Sequence, residues 1–328
     1  MLDNLFPLYA AVFAISLFIT VVSEKKLIPA LKNRAAQPIY TEGPRWHLKK
    51  QGTPTMGGLG FVFAITASVA LSTPFLLNTN GRNAIVSIGI SVIYSILNSL
   101  VGAIDDLKKL KKKENRGLTP IEKLILQFSL AALFLIARKF LCGDDSQISF
   151  SFGSIDLGIF YFPISLITLV GIINFANLTD GIDGLASSVA FSIGVSLLFI
   201  STALVEEAAI ISAAITGAAV GFLIFNLHPA KIFMGDTGSL FFGALISSAA
   251  FMLDNPLISI LICGVYCIEG LSVIIQVAVF KLTHKRVFKM APFHHHLEKC
   301  GWSEMKICVA AILLSFIFSV PAYILYLP

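Results

Sequence analysis

The chain has 328 residues, 56% hydrophobic and only 13% charged, with a mean hydropathy of +0.85. Soluble domains run at about 45–50% apolar and about 25% charged, so a soluble globular protein is excluded and a multi-spanning membrane protein is indicated. The net charge of +5 follows from where lysine and arginine fall around the membrane, and no nucleic-acid partner is expected from it.

Apolar runs near 5–23, 56–77, 84–104, 121–141, 159–177, 185–204, 208–227, 239–253, 256–280 and 305–327 predict an all-α polytopic protein. Each is close to the roughly 20 residues a membrane helix needs, giving about ten transmembrane helices. The first run lacks a basic leader and is followed by a basic segment, as an anchor would be. Loops 24–55, 105–123, 228–238 and 281–306 hold 21 of the 24 lysines and arginines; the alternate loops hold only Arg82, Arg138 and Lys139. Basic loops mark the cytoplasmic side, which places both termini outside it. Segment 146–158 alternates polar and apolar residues around Gly153 and predicts a small external β-hairpin. Neither repeat nor long linker interrupts 1–328, so a single integral-membrane domain is expected. The five cysteines, Cys142, Cys263, Cys267, Cys300 and Cys308, show no paired spacing in a short loop and read as reduced, packed thiols.

Polar chemistry collects on the basic side, in chain order. The first loop runs from Glu42 through Lys50, Thr53 and Thr55 to Gly58. Its glycines, hydroxyls and ammonium group can meet phosphate, although no P-loop pattern follows; a turn entering the second helix explains it equally well. Asp105 and Asp106 are adjacent carboxylates at a helix end, costly through mutual repulsion unless a metal or lysine offsets it. The lysines after them read mostly as topological ballast. The run Asn174-Phe-Ala-Asn-Leu-Thr-Asp-Gly-Ile-Asp-Gly-Leu-Ala186 sets Asp180 and Asp183 three apart, on one side of a helical turn. Its plainer reading is Thr179 or Asp180 as a cap for the next helix. Asp236 and Thr237 open another helix, whose N-terminus favours anions and where a cap is again the plainer reading. Phe233 beside Gly235 would stack a base or merely pack. All six histidines lie on this side, and His294, His295 and His296 are consecutive, so they cannot share one helix face. Carboxylates dominate the surroundings, which favours a hard ion such as magnesium over a soft one. Glu269 lies within the ninth predicted span, where a hydrogen bond to a neighbouring helix accounts for it best.

Together, Gly52-Thr-Pro-Thr-Met-Gly-Gly58, Asp105-Asp106, Asn177-Leu-Thr-Asp-Gly-Ile-Asp-Gly-Leu-Ala186, Phe233-Met-Gly-Asp-Thr-Gly-Ser239 and Ala291-Pro-Phe-His-His-His-Leu-Glu298 resemble the phospho-N-acetylmuramoyl-pentapeptide transferase (translocase I) family of polyprenyl-phosphate sugar-1-phosphate transferases. The motifs keep the family's order from about residue 41 to 302, and as a set they are specific. Tyr40 departs from the pattern, standing where a basic residue is common. The resemblance implies a magnesium-dependent phosphoglycosyl transferase with ten membrane helices in the bacterial cytoplasmic (inner) membrane, its site on the cytoplasmic face. It implies transfer of phospho-N-acetylmuramoyl-pentapeptide from UDP-MurNAc-pentapeptide to undecaprenyl phosphate, giving lipid I and UMP, the first membrane step of peptidoglycan synthesis.

By the same resemblance Asp236 is the best magnesium ligand, with Asp105, Asp106 and Asp183 as further candidates. Asp105 and Asp106 flank the lipid phosphate as base or metal support, and His294 joins them among catalytic positions. Lys50, Asn177, Asp180, Asp183, Phe233 and Gly235 match positions on the uridine side. Lys109, Lys123 and His295 match positions near phosphates, and Thr55, Asn226, Ser239 and Gln276 complete the substrate-binding set. The lipid tail would lie along a bent ninth helix, among membrane lipid, and a homodimer is compatible with the resemblance. Two other readings stay open. One is a UDP-N-acetylhexosamine-1-phosphate transferase on another polyprenyl phosphate, against which the Pro-Thr-Met-Gly-Gly and His-His-His motifs argue. The other is a transporter of an anionic solute, which requires ionisable residues at mid-membrane in discontinuous helices; only Glu269 qualifies.

Overall fold

The computed structural model describes residues 5–32, 35, 50–76, 81–112 and 117–326. Tyr40, Asn80 and most of the first loop lie outside them. Twelve α-helices dominate the described residues: α1 (Phe6–Leu31), α2 (Gly58–Leu76), α3 (Gly81–Lys112), α4 (Pro120–Leu141), α5 (Tyr161–Thr179), α6 (Leu185–Leu204), α7 (Glu206–Asn226), α8 (Gly235–Phe251), α9 (Pro256–Ile262), α10 (Gly264–Thr283), α11 (Phe293–Glu298) and α12 (Glu304–Tyr326). The sole sheet among the described residues is an antiparallel hairpin, β1 (Gln147–Phe150) with β2 (Gly153–Asp156). The expected hairpin is there, though its turn is Ser151–Phe152 and Gly153 is the first residue of β2.

Nine of these helices are long and apolar enough to cross a membrane, so the chain is a multi-pass membrane protein. The predicted span 239–253 corresponds to α8, which has 17 residues. Such a helix is about 26 Å long, short for a hydrocarbon core of roughly 30 Å. It is nonetheless ensheathed: every residue of α8 except Asp236 is buried, so it meets protein and not lipid. It still reaches from one polar end of the bundle to the other. Its first turn touches the end of α3 through Asp106, and its last carbonyl, of Phe251, accepts from Arg138 at the far end of α4. The predicted continuous span 256–280 is corrected to two helices, α9 and α10, which break at Cys263 (φ −86°, ψ 22°). Pro256 and the Asn255 side chain, which accepts from Leu257 N–H at 2.9 Å, start α9.

Inside and outside helices separate by residue size. In α7, rich in Ala and Gly, 83% of the apolar window is buried, against 22% in α1 and 28% in α10. Small side chains let helices approach closely when both would otherwise face lipid, and α6, α7 and α8 form the centre of the bundle. Leu271, Ile274, Ile275, Val277 and Phe280 of α10 are exposed, leaving an apolar face for lipid. The two ends of the bundle differ sharply. At one end Arg138 is buried among Asp144, Ser87 and the Phe251 carbonyl, beside the hairpin. At the other, the helix ends and loops carry the acidic motifs.

Candidate active site

α3 outruns the membrane, with 32 residues or about 48 Å of helix, and lifts Asp105, Asp106 and Lys109 to the polar end. Asp106 is buried and caps α8 across space: its Oδ1 accepts from Asp236 N–H at 3.1 Å, and its Oδ2 from Thr237 N–H at 2.9 Å and the Thr237 hydroxyl at 2.7 Å. A carboxylate suits the unpaired N–H groups and positive end of a helix. The cap of α8 is therefore Asp106, and the plainer reading of Asp236 as its own helix's cap does not hold. Asp236 is turned outward instead. Its Oδ2 lies 2.5 Å from Lys123 Nζ and 3.2 Å from Lys109 Nζ, and its Oδ1 accepts from the Asn177 amide at 3.0 Å. Asn177 also donates to Ser239 Oγ at 2.8 Å. Lys123 reaches in from the first turn of α4, which Thr119 and Glu122 secure with a capping box behind Pro120. Asp105 accepts from Leu118 N–H at 2.7 Å and pairs with Lys109 at 2.6 Å.

Ligand oxygens of Asp105, Asp106 and Asp236 lie within 4.8 Å of one another. An all-oxygen, triply acidic set fits magnesium. Lys109 and Lys123 neutralise the cluster here, so a divalent ion entering it competes with them for Asp236. Asp236 is the most accessible of the three, since both oxygens of Asp106 are committed to α8.

A second set of polar groups adjoins the first. Asp183 is buried; it accepts from Lys50 at 2.7 Å, and its other oxygen lies 3.0 Å from His228 Nδ1 and accepts from Ala230 N–H at 3.0 Å. Lys50 also reaches Glu304 at 2.7 Å, and that carboxylate accepts Asp183 N–H. Asp183, His228 and Glu304 could chelate an ion by spacing, but Lys50 already bridges two of them. Asp180 lies between the two sets. Burial and the negative field of Asp236, Asp106 and Asp183 push its carboxyl up to about 8. No side chain caps α6, which begins at Gly184 in the left-handed region, and the Thr179 hydroxyl turns back to the Phe175 carbonyl; the cap reading of this motif does not hold.

The segment 54–57, which leads into α2, lines one wall. Phe233 N–H donates to the Pro54 carbonyl at 2.8 Å, and Gly57 N–H to the Phe233 carbonyl at 2.9 Å. This sets Thr55, buried and without a hydroxyl partner, beside Gly235. With φ +72° and an added Cβ only 2.6 Å from Asp106 Oδ2, position 235 admits glycine alone. Phe233 itself is partly exposed at the edge.

Three expected substrate contacts are engaged in holding the frame. Asn226 is buried, accepting from Gly184 N–H and Ser187 Oγ and donating to the Ile232 carbonyl. Gln276 accepts from Val287 and Phe288 N–H, folding the loop after α10 back on the helix. Ser239 is buried between Asn177 and the Gly235 carbonyl. The three histidines diverge as their spacing requires. His294 is buried against Glu269, His295 lies 2.6 Å from Glu298, and His296 stacks on Phe293. Glu269 does hydrogen-bond to a neighbouring helix, namely α11. Glu304 and His228 were not anticipated. The signal for Glu304 was an acid opening the last helix; for His228, the pair His228-Pro229 two residues beyond Asn226.

Two comparisons bear on this geometry. Residues 87–254 match the model of the glycosyl transferase family 4. The phospho-N-acetylmuramoyl-pentapeptide-transferase of Clostridium perfringens (strain SM101) is 42% identical over 321 residues, covering 97% of this chain and 96% of that protein. The chain belongs to the phospho-N-acetylmuramoyl-pentapeptide-transferase family. The enzyme of that name from Halalkalibacterium halodurans is 42% identical over 311 residues, 94% of each chain, and that from Clostridium botulinum (strain Eklund 17B) 42% over 302 residues, 90% of each. The family-4 match spans α3 to α8 and so contains Asp105, Asp106, Lys109, Lys123, Asn177, Asp180, Asp183 and Asp236; Lys50, Glu269, His294 and Glu304 fall outside it.

Proposed function

We propose that this chain transfers phospho-N-acetylmuramoyl-pentapeptide from the UDP-linked donor to undecaprenyl phosphate, releasing UMP and leaving lipid I in the membrane. Family membership supports the reaction class. The observation that carries the reading to named atoms is the Asp105–Asp106–Asp236 cluster flanked by Lys109 and Lys123 at the polar end of a lipid-facing bundle. Both substrates are anionic, so their encounter requires fixed positive charge, and phosphoryl transfer depends mainly on positioning and electrostatic stabilisation.

In this reading Asp236 is the principal ligand of magnesium, with Asp105 beside it. The bound ion would offset charge on the pyrophosphate and the leaving UMP. Lys109 and Lys123, released from Asp236, hold phosphate oxygens. Asp106 fixes the α8 terminus on which Asp236 stands. Asn177 orients Asp236, while Asp180, Asp183, Lys50, Phe233 and Gly235 form the uridine side. Thr55, with its unpaired hydroxyl, faces the same wall, and His294 and His295 stand near the phosphates. The apolar face of α10 accommodates the polyprenyl chain. The whole chain, 1–328, acts as one membrane domain of the bacterial inner membrane, its site cytoplasmic and both termini outside, either alone or as a homodimer. An anionic-solute transporter is disfavoured because the helix break at Cys263 carries no charged group.

The reading is tested with purified protein, undecaprenyl phosphate, magnesium and UDP-MurNAc-pentapeptide. UMP and a pyrophosphate-linked lipid should form together. Absence of UMP release from folded protein would overturn it.

A further inference from the structure

Glu269 on α10 takes no part in the carboxylate cluster, yet it is buried within the bundle. One of its oxygens, Oε2, accepts the backbone N–H of His294 at 3.1 Å and lies 3.0 Å from His294 Nδ1. An ionised carboxylate only accepts, so Nδ1 carries a proton whatever the charge on the ring. That leaves Nε2 as the open position. It is wholly buried without a partner, and it points at Gly181, where an added Cβ would stand 2.2 Å away. Gly181 lies in the short loop between α5 and α6, between Asp180 and Asp183, and Asp183 is held by Lys50 and His228. The orphan nitrogen thus packs against the backbone of the loop that carries Asp180 and Asp183. Buried polar atoms left unpaired are costly and call for a missing partner.

We propose that Glu269 is a positioning residue that acts through His294: it fixes the Nδ1–H tautomer and turns Nε2 toward a phosphate oxygen of the substrate beside Gly181. The proposal rests on reading the cleft as a phosphoryl-transfer site. A carboxylate behind an imidazole sets its tautomer and stabilises the imidazolium when one forms, and an anionic oxygen suits a cleft that already holds Lys109 and Lys123. Glu269 also holds the first turn of α11 through the His294 N–H, so one acceptor secures both the ring and the short helix that carries it.

Because both bonds converge on a single oxygen, Glu269→Gln can keep them through its carbonyl oxygen, whereas Glu269→Met removes the acceptor. With 15N-labelled histidine, His294 in the unaltered protein and in the Gln variant should show a protonated Nδ1, and the Met variant should lose that preference. UMP release should fall at least ~100-fold in Glu269→Met, the scale of misplaced acid–base groups, and recover most of the way in Glu269→Gln. In a His294→Gln background, Glu269→Met should cost less than about threefold more, since residues acting as a unit are not additive. An unprotonated Nδ1 in the unaltered protein, near-full activity of Glu269→Met, or losses that multiply in the double variant would each overturn the proposal. The ring spectrum does not depend on which donor is used, so a failure of the proposed reaction is distinguishable from a failure of this one.

Discussion

Asp106→Asn separates anchoring from catalysis. The Asp106 carboxylate accepts three hydrogen bonds from the first turn of α8. An asparagine oxygen placed at Oδ2 keeps the two bonds from Thr237, while its amide then opposes Asp236 N–H, donor against donor. One charge-assisted bond is lost, worth about 1.5–3 kcal/mol, together with about 0.3–1 kcal/mol of helix-dipole interaction. Relief of repulsion with Asp105 and Asp236, within 4.8 Å, offsets part of this. The net cost should be about 1–3 kcal/mol, or a fall of ~2–12 °C in Tm at roughly 2–4 °C per kcal/mol. Thermal unfolding in detergent, followed by tryptophan fluorescence, measures it. Thr237→Val, which removes one hydroxyl bond and leaves the charge, should cost about 1 kcal/mol. An Asp106→Asn protein with unchanged Tm would refute the capping role and return Asp106 to the set of free metal ligands.

Asp236→Asn should leave the protein folded and reduce UMP release by about 10²-fold or more, the scale of lost transition-state charge stabilisation; magnesium should raise the Tm of the unaltered protein and not of this variant. Arg138→Met breaks a buried ion pair at the far end of the bundle, so Tm should fall by an amount equivalent to ~3–5 kcal/mol, with turnover per folded molecule unchanged. The Asp180 carboxyl, raised to about 8 in the folded chain, binds its proton more tightly there than when unfolded. Its contribution to stability is full below the unfolded value and is lost as pH rises through 8, so in metal-free buffer the Tm of the unaltered protein should decline from pH 5 to 8 more steeply than that of Asp180→Asn. Single cysteines at Asn80 and Lys112, in a background without native cysteines, should label from opposite sides of the membrane; labelling of both from outside would reverse the proposed orientation.

Hydropathy and charge made the helices readable, because a membrane span must be long, apolar and flanked by uneven charge. α6 spans the expected residues, and α4, α5 and α12 match within two residues at either end. α1 continues to Leu31, beyond the expected end at 23, because Lys25 and Lys26 leave the apolar layer while the helix persists. The break at Cys263 was invisible to hydropathy, which does not sense backbone direction within an apolar run. The acidic motifs were legible as costly charges at helix ends, yet their division of labour was not. Which carboxylate caps α8, and which one faces the cleft, depends on how α3 packs against α8. Likewise, Asn226 and Gln276 have the chemistry of substrate contacts, but tertiary structure commits them to loop carbonyls and N–H groups. Glu304 joins Asp183 and Lys50 from 121 residues beyond Asp183, a distance over which no local pattern speaks.

The most direct test offers both donors to the same protein. UDP-MurNAc-pentapeptide and UDP-N-acetylglucosamine share the uridine and pyrophosphate that the Asp180–Asp183 and Asp236 regions would meet, so those regions cannot choose between them. Choice must come from segments at the polar end of the bundle that meet the peptide arm, and 281–303 carries Lys285, Arg286 and Lys289, suited to its carboxylates. With undecaprenyl phosphate and magnesium in one vessel, UMP should be released with the muramoyl-pentapeptide lipid as product and little or none from N-acetylglucosamine. UMP release from UDP-N-acetylglucosamine, with none from the muramoyl-pentapeptide donor, would contradict the account.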